Sequence, residues 1–91
     1  MSEVLIYSQD SCPYCTELKG LLDTNGIPYR VKDIDKHEKE WDSISKHSGV
    51  DYVPTVLLLD KGNGVGNVLA PDRDFDELEE CLQLIQTHLQ Q

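Results

Sequence analysis

Two cysteines separated by a proline and a tyrosine, Cys12-Pro13-Tyr14-Cys15, are the residues of this chain best suited to do chemistry. A C-x-x-C pair has three common uses: a structural disulfide, half of a metal site, or two thiols that exchange electrons with a substrate. As a staple the pair is poor, because closing so short a loop restricts the unfolded chain by only about 2 kcal/mol. Structural zinc wants four Cys or His ligands, commonly as two spaced pairs. Here the third cysteine, Cys81, stands alone, and His37, His47 and His88 show no matching spacing, so no metal site is expected. The redox use needs a nucleophilic thiolate with a second thiol in reach of it. Whether the pair meets that need depends on the elements that carry it.

Val4, Leu5, Ile6 and Tyr7 form a short apolar run rich in β-formers, read as a buried strand. A helix is predicted over 13–24. Ser11 or Cys12 caps it, Pro13 suits its first position, Leu18, Leu21 and Leu22 share a face, and Asn25-Gly26 stops it. Cys12 thus falls at a helix N-terminus, where unpaired N–H groups and the positive helix end favour an anion. Cys15 falls one turn in, on the same side and deeper. Cys12 is the expected attacking thiol and Cys15 the resolving one. Asp10 precedes the pair and no cation follows until Lys19, so hydrogen bonds from N–H groups and the Cys15 thiol must add to the helix end, and Cys12 is expected to be less acidic than in a site flanked by lysine. A C-x-x-C that opens the first helix of a β-α-β unit is far more specific than the motif alone.

The remaining chain completes a β-α-β-α-β-β-α order. "IPYRVKDID" from Ile27 reads as the second strand, and 37–48 as a thinner amphipathic helix with Trp41 and Ile44 inward and Gly49 at its end. Pro54 opens a third strand, "TVLLL", apolar throughout and therefore central. "DKGNG" from Asp60 signals a turn and "VGNVL" from Val65 an edge strand. Phe75, Leu78, Leu82, Ile85 and Leu89 recur at spacings of three and four and predict the last helix. Asp74 and Glu77 are its expected capping box, and Cys81 a small buried residue on its inner edge. The fold class is α/β, a single domain over 1–91, with a parallel first pair of strands and an antiparallel hairpin at the end.

Composition narrows the function. Of 91 residues 38% are hydrophobic, enough for a core, and 8 Lys and Arg against 17 Asp and Glu leave a formal charge of −9. That balance excludes nucleic acid and anionic membranes as partners and steers basic protein surfaces toward the molecule. No run approaches the roughly 20 apolar residues of a membrane helix, and the N-terminus carries an acid where a signal peptide is positive. The expectation is a cytoplasmic monomer, in which three cysteines, an odd number, point to catalysis or metal binding rather than a disulfide framework.

On these residues the chain resembles the glutaredoxin family across nearly its whole length. "VLIYSQDSCPYCTELKGLLDTNGIPYRVKDID" is similar to the family's first β-α-β unit, and "YVPTVLLLD" to the segment in which a proline follows Val or Met before the third strand. The resemblance implies a thioredoxin-like fold with a central four-stranded mixed sheet and flanking helices. It implies a cis Val53-Pro54 bond facing Cys12, and a binding surface built from Pro13, Tyr14, Tyr52, Val53 and Pro54. There the Val53 backbone pairs with the cysteine moiety of glutathione. The activity implied is glutathione-dependent thiol-disulfide exchange on protein disulfides or glutathione mixed disulfides. Glutathione is then the co-substrate, no cofactor is tightly bound, and ribonucleotide reductase is one protein target.

Two departures from the family pattern concern glutathione. Gln9 stands where a lysine is common, and "APDRDFDEL" replaces a Gly-Gly-x-Asp segment whose amides hold the γ-glutamyl carboxylate. Asp74 would compete for those amides, and Arg73 is the nearby cation that would compensate. "LAPDRDF" is similar to the segment in glutaredoxin-like redoxins that take electrons from thioredoxin reductase and serve ribonucleotide reductase, which gives the alternative reductant. A third reading is a module sharing an iron–sulfur cluster between two protomers through Cys12 and glutathione, and the second thiol of the motif argues against it.

Overall fold

The computed structural model describes residues 2–60 and 66–90. The chain runs β1 (Ser2–Ser8), α1 (Pro13–Thr24), β2 (Arg30–Asp33), α2 (Glu38–Ser48), β3 (Thr55–Asp60), β4 (Gly66–Leu69) and α3 (Leu78–Leu89), in the order the sequence predicts. The strands form one mixed sheet, β2-β1-β3-β4, with β1 parallel to β2 and antiparallel to β3, and β3 antiparallel to β4. This is a thioredoxin-like fold. The two inner strands are covered on both faces, which is why "VLIY" and "TVLLL" read as continuous apolar runs.

Alternation along the inner strands sorts the helices. Val4 and Ile6 of β1 and Val56 and Leu58 of β3 share one core with Leu18 and Leu22 of α1 and with Phe75, Leu78, Cys81 and Ile85. Tyr7 points the other way, toward α2, with its ring centroid 5.8 Å from that of Trp41. Its hydroxyl donates to Glu40 Oε2 at 2.8 Å, and Lys32 Nζ donates to Glu40 Oε1 at 2.9 Å. The buried phenol is therefore satisfied, and burial followed by the Glu40 carboxylate raises its pKa, keeping it protonated.

Several boundaries differ from the expectation, each for a local reason. The second strand begins at Arg30, not Ile27, because the Ile27 N–H closes the end of α1 on Leu22 O at 2.9 Å and Pro28 has no N–H to give. The last helix begins at Leu78, and its reciprocal capping box is Glu77 with Glu80, not Asp74 with Glu77. Leu89, expected on the inner face, is exposed at the last helical position, whereas Leu82 packs against the core. Trp41 and Ile44 are half-buried, and β4 is the expected edge strand. Most of the predicted "DKGNG" turn, with Val65 after it, lies outside the described residues.

The segment between β4 and α3 is a tight loop. Pro71 and Phe75 form an isolated parallel bridge, and the Asp72 N–H donates to Phe75 O at 2.8 Å. Asp72 takes φ 65°, a left-handed conformation that costs most side chains about 1 kcal/mol or more and is easiest for Gly, Asn and Asp. Asp72→Ala should accordingly lower unfolding stability by about 1 kcal/mol and Asp72→Gly by clearly less. Urea midpoints report both, and equal losses would show that the left-handed backbone is not the constraint.

Candidate active site

Cys12 is the N-cap of α1, with extended backbone at φ −104° and ψ 103°, and Pro13 follows at the first helical position. The cap orients its sulfur: the Cys15 N–H donates to Cys12 Sγ at 3.1 Å. An N–H of the first helical turn thus aims at the atom that carries negative charge in the thiolate. Cys12 and Cys15 are joined as a disulfide, with Cα atoms 5.3 Å apart, so the structure presents the oxidised form of the pair. Cys15 is 1% exposed, whereas Cys12 is half-buried and faces outward. Of the two sulfur-bearing residues, Cys12 is thus the more accessible.

The opposite side of the site comes from the turn before β3. The Val53-Pro54 bond is cis, and Cys12 Sγ lies 3.9 Å from Val53 O. Thr55, fully buried, fixes the turn by donating from Oγ1 to Tyr52 O at 2.7 Å. Between this turn, α1 and α3 runs an open cleft of about 520 Å³. Tyr14, Tyr52, Val53, Pro54, Pro71 and Phe75 give it apolar walls, and Glu17, Asp72, Asp76, Glu77 and Glu79 give it carboxylates. Tyr14 and Tyr52 are 65% and 62% exposed at its mouth. Among the described residues no Lys or Arg lines it.

The fold thus brings Cys12, Pro13, Tyr14, Cys15, Tyr52, Val53 and Pro54 to one place, and leaves two predicted contributors elsewhere. Arg73 is turned away and committed: Nη2 donates to Val68 O at 2.8 Å, Nη1 to Ser48 O at 3.1 Å, and Nε to Asp74 Oδ2 at 2.8 Å. It ties β4 to the end of α2. Asp74 Oδ2 also accepts from the Ala70 N–H at 2.8 Å, so this carboxylate closes its own loop and does not cap α3. Both line a separate hollow of about 450 Å³ with His47 and His88, and not the cleft beside the cysteines. Gln9, at the position of the family lysine, sends its amide toward Asp35 Oδ2 at 3.5 Å.

The residue that sequence reasoning missed is Glu80. Its Oε1 accepts from the Glu77 N–H at 2.9 Å and from the Asp76 N–H at 3.1 Å, while the Glu77 side chain accepts from the Glu80 N–H. Carboxylates of the protein itself thereby occupy the amides of Asp76, Glu77 and Glu80 at the start of α3. These hydrogen bonds, the Glu77 one first, hold the Glu80 carboxyl below its ordinary pKa. The signal was present as Glu77-x-x-Glu80, a capping-box spacing with Glu at the N-cap. Cys81 is fully buried, and burial, then the nearby Asp74 charge, pushes its thiol up to about 12, so it takes no part in exchange at neutral pH.

Comparison with known proteins agrees with this geometry. The glutaredoxin family model matches residues 4–62. Glutaredoxin 3 of Escherichia coli is 33% identical over 58 residues, covering 64% of this chain and 70% of that protein. Mycoredoxin 1 of Corynebacterium glutamicum is 43% identical over 75 residues, covering 79% of this chain and 89% of that protein. Among solved structures, a buckwheat glutaredoxin–glutathione complex has the same fold, with a TM-score of 0.65 and 17% identity over 96% of this chain and 71% of that one.

Two outcomes follow from the thiol and carboxylate environments. Iodoacetamide at about pH 8 should label Cys12 in the reduced native protein and reach Cys81 only after unfolding. Peptide mass mapping reads this, and equal labelling of all 3 cysteines would overturn the assignment. Glu80 has a depressed folded pKa, so its contribution to stability is complete above the ordinary 4.5 and is lost as pH falls through the folded value. Glu80→Gln should therefore flatten the acid limb of the stability curve, and an unchanged limb would contradict the hydrogen-bonding role.

Proposed function

The chain belongs to the glutaredoxin family, and from that membership we propose that it reduces protein disulfides and glutathione mixed disulfides by a dithiol mechanism with glutathione as reductant. Thiol-disulfide exchange itself is the family's chemistry, and the redox-active pair is present. The observation that carries the dithiol reading is the seating of Cys12. It is a half-buried N-cap sulfur 3.9 Å from the carbonyl oxygen of Val53, which lines the cleft, with Cys15 buried behind it.

In the reduced protein the Cys12 thiolate attacks one sulfur of the substrate disulfide and expels the other as a thiolate. The substrate is then joined to Cys12 as a mixed disulfide. The Cys15 thiolate attacks Cys12 Sγ, releases the second substrate thiol and leaves the Cys12–Cys15 disulfide, the form the structure presents. The Val53 backbone, beside the sulfur, pairs with an extended cysteine-containing segment; Tyr14, Tyr52 and Pro54 bound the space it enters, and Pro13 adjoins it next to Cys12. The electrons pass between thiols alone, so no tightly bound cofactor is needed. A cytoplasmic monomer suits this cycle, because a reducing compartment regenerates the dithiol; among the described residues no helix is long and apolar enough to cross a membrane.

Glutathione is the reductant the family membership and the Val53 edge favour. It would engage chiefly through its cysteine backbone, because carboxylates of the protein already occupy the Asp76, Glu77 and Glu80 amides and Arg73 is committed elsewhere. The same filled amides favour a second reading, in which thioredoxin reductase returns the dithiol and ribonucleotide reductase is a target. NADPH oxidation coupled to a model disulfide separates the two. One arm supplies glutathione with glutathione reductase, the other thioredoxin reductase. Turnover in the first arm, with a glutathione requirement that does not saturate readily, is expected; turnover in the second arm alone would overturn the glutathione reading. In either arm Cys12→Ser should abolish activity. Cys15→Ser should trap a mixed disulfide on Cys12, seen as an added substrate mass.

A further inference from the structure

We infer that the cleft beside Cys12 selects disulfides whose cysteines are flanked by Arg or Lys and disfavours acidic flanks. The inference rests on the dithiol reading above and adds a substrate class to it. Carboxylates stand on both walls of the cleft: Glu17 on α1, and Asp72, Asp76 and Glu79 on the loop and first turn of α3. All four residues are exposed, and the exposed rings of Tyr14 and Tyr52 stand at the mouth. Carboxylates set beside accessible aromatic faces form the surroundings that receive a guanidinium or an ammonium group. The formal charge of −9 adds a long-range field of the same sign.

Helix stability accounts for only part of this charge. Glu79 and Glu80 lie in the first turn of α3, where acids favour the helix end. That account does not extend to Glu17. No acid lies in the first turn of α1, and Glu17 sits past it, on the helix that must stabilise a thiolate. A carboxylate there opposes the anion at Cys12, and neither Gln9 nor Asp10 supplies a cation against it. A basic substrate resolves the conflict. Its Arg or Lys neutralises the cleft carboxylates and places positive charge near the attacking sulfur.

The test uses the pre-reduced, desalted full chain in a single turnover, so the identity of the physiological reductant does not enter. The substrates are disulfide-linked dimers of blocked Arg-Cys-Arg, Gln-Cys-Gln and Glu-Cys-Glu peptides. The Cys12 thiolate displaces one peptide thiol and the Cys15 thiolate the other. The peptide disulfide gains two electrons and two protons, and the protein becomes the Cys12–Cys15 disulfide. Each rate is divided by the rate of the same peptide with dithiothreitol, which removes the intrinsic reactivity of the disulfide. At low salt the normalised rate should be about tenfold higher for the Arg dimer than for the Glu dimer, with the Gln dimer between them. The gap should shrink at about 0.5 M salt, and Glu17→Gln should lower it by about half. A normalised ratio of one or less, or a ratio that neither salt nor Glu17→Gln moves, overturns the inference and leaves the dithiol reading intact. Release of thiol from none of the three peptides overturns the dithiol reading, and the inference with it.

Discussion

The antiparallel pairing of β1 with β3 is the constraint on which the site depends. Because the two strands are neighbours and run in opposite directions, the C-terminal end of β1 and the start of β3 lie at the same end of the sheet. The register Tyr7↔Thr55 then sets Cys12, just beyond β1, against Val53, just before β3. Neither the cysteine motif nor the proline turn fixes that separation alone. The register is held by burial: Val4, Ile6, Val56 and Leu58 all point into the core shared with α1 and α3. A slip of one residue would turn each of them to the wrong face and draw the sulfur away from Val53.

The second face of the sheet keeps the same strand in place by polar means. Tyr7, near the end of β1, reaches Glu40 on α2, and Lys32 on β2 reaches the same carboxylate. The Lys32 hydrogen bond, ahead of the opposing effect of burial and the added Tyr7 bond, holds Glu40 below its ordinary pKa. Both bonds are partly buried, and they fix the position of α2 against the sheet. They anchor α2 to the end of the strand from which the active-site turn departs. Arg73 does the equivalent on the other side, bridging Val68 O of β4 and Ser48 O of α2.

Much of this was legible in the sequence, because its signals are local. Cys12 as N-cap, Pro13 after it, the buried runs of β1 and β3 and the αL glycine that ends α2 all follow from residue type and spacing. The cis Val53-Pro54 bond was legible only through family resemblance, since no local property of the dipeptide requires it. The misreadings cluster in 70–80, where three aspartates and three glutamates offered more than one capping register. Spacing alone favoured Asp74 with Glu77. The choice was made by tertiary structure: Ala70 and Arg73 claim the Asp74 carboxylate, which leaves Glu77 and Glu80 to close the helix. Arg73 was misplaced for the same reason, since its carbonyl partners on β4 and α2 are distant in sequence and invisible to a local pattern.

The capping register has a consequence beyond helix stability. A helix N-terminus that opens on a cleft is ordinarily a place for a ligand's negative charge, because its amides are unpaired and its dipole is positive. Here Glu77 and Glu80 satisfy those amides from within. The dipole favours these carboxylates, and the cleft also presents Asp72, Asp76, Glu79 and, across it, Glu17 to a substrate. Carboxylates therefore line the cleft next to the thiol pair. Reaction type and substrate charge are thus set by separable parts of the chain. The β1–α1 junction and the Val53 turn determine that sulfur meets sulfur, and the loop and cap before α3 determine which flanking charges approach without penalty.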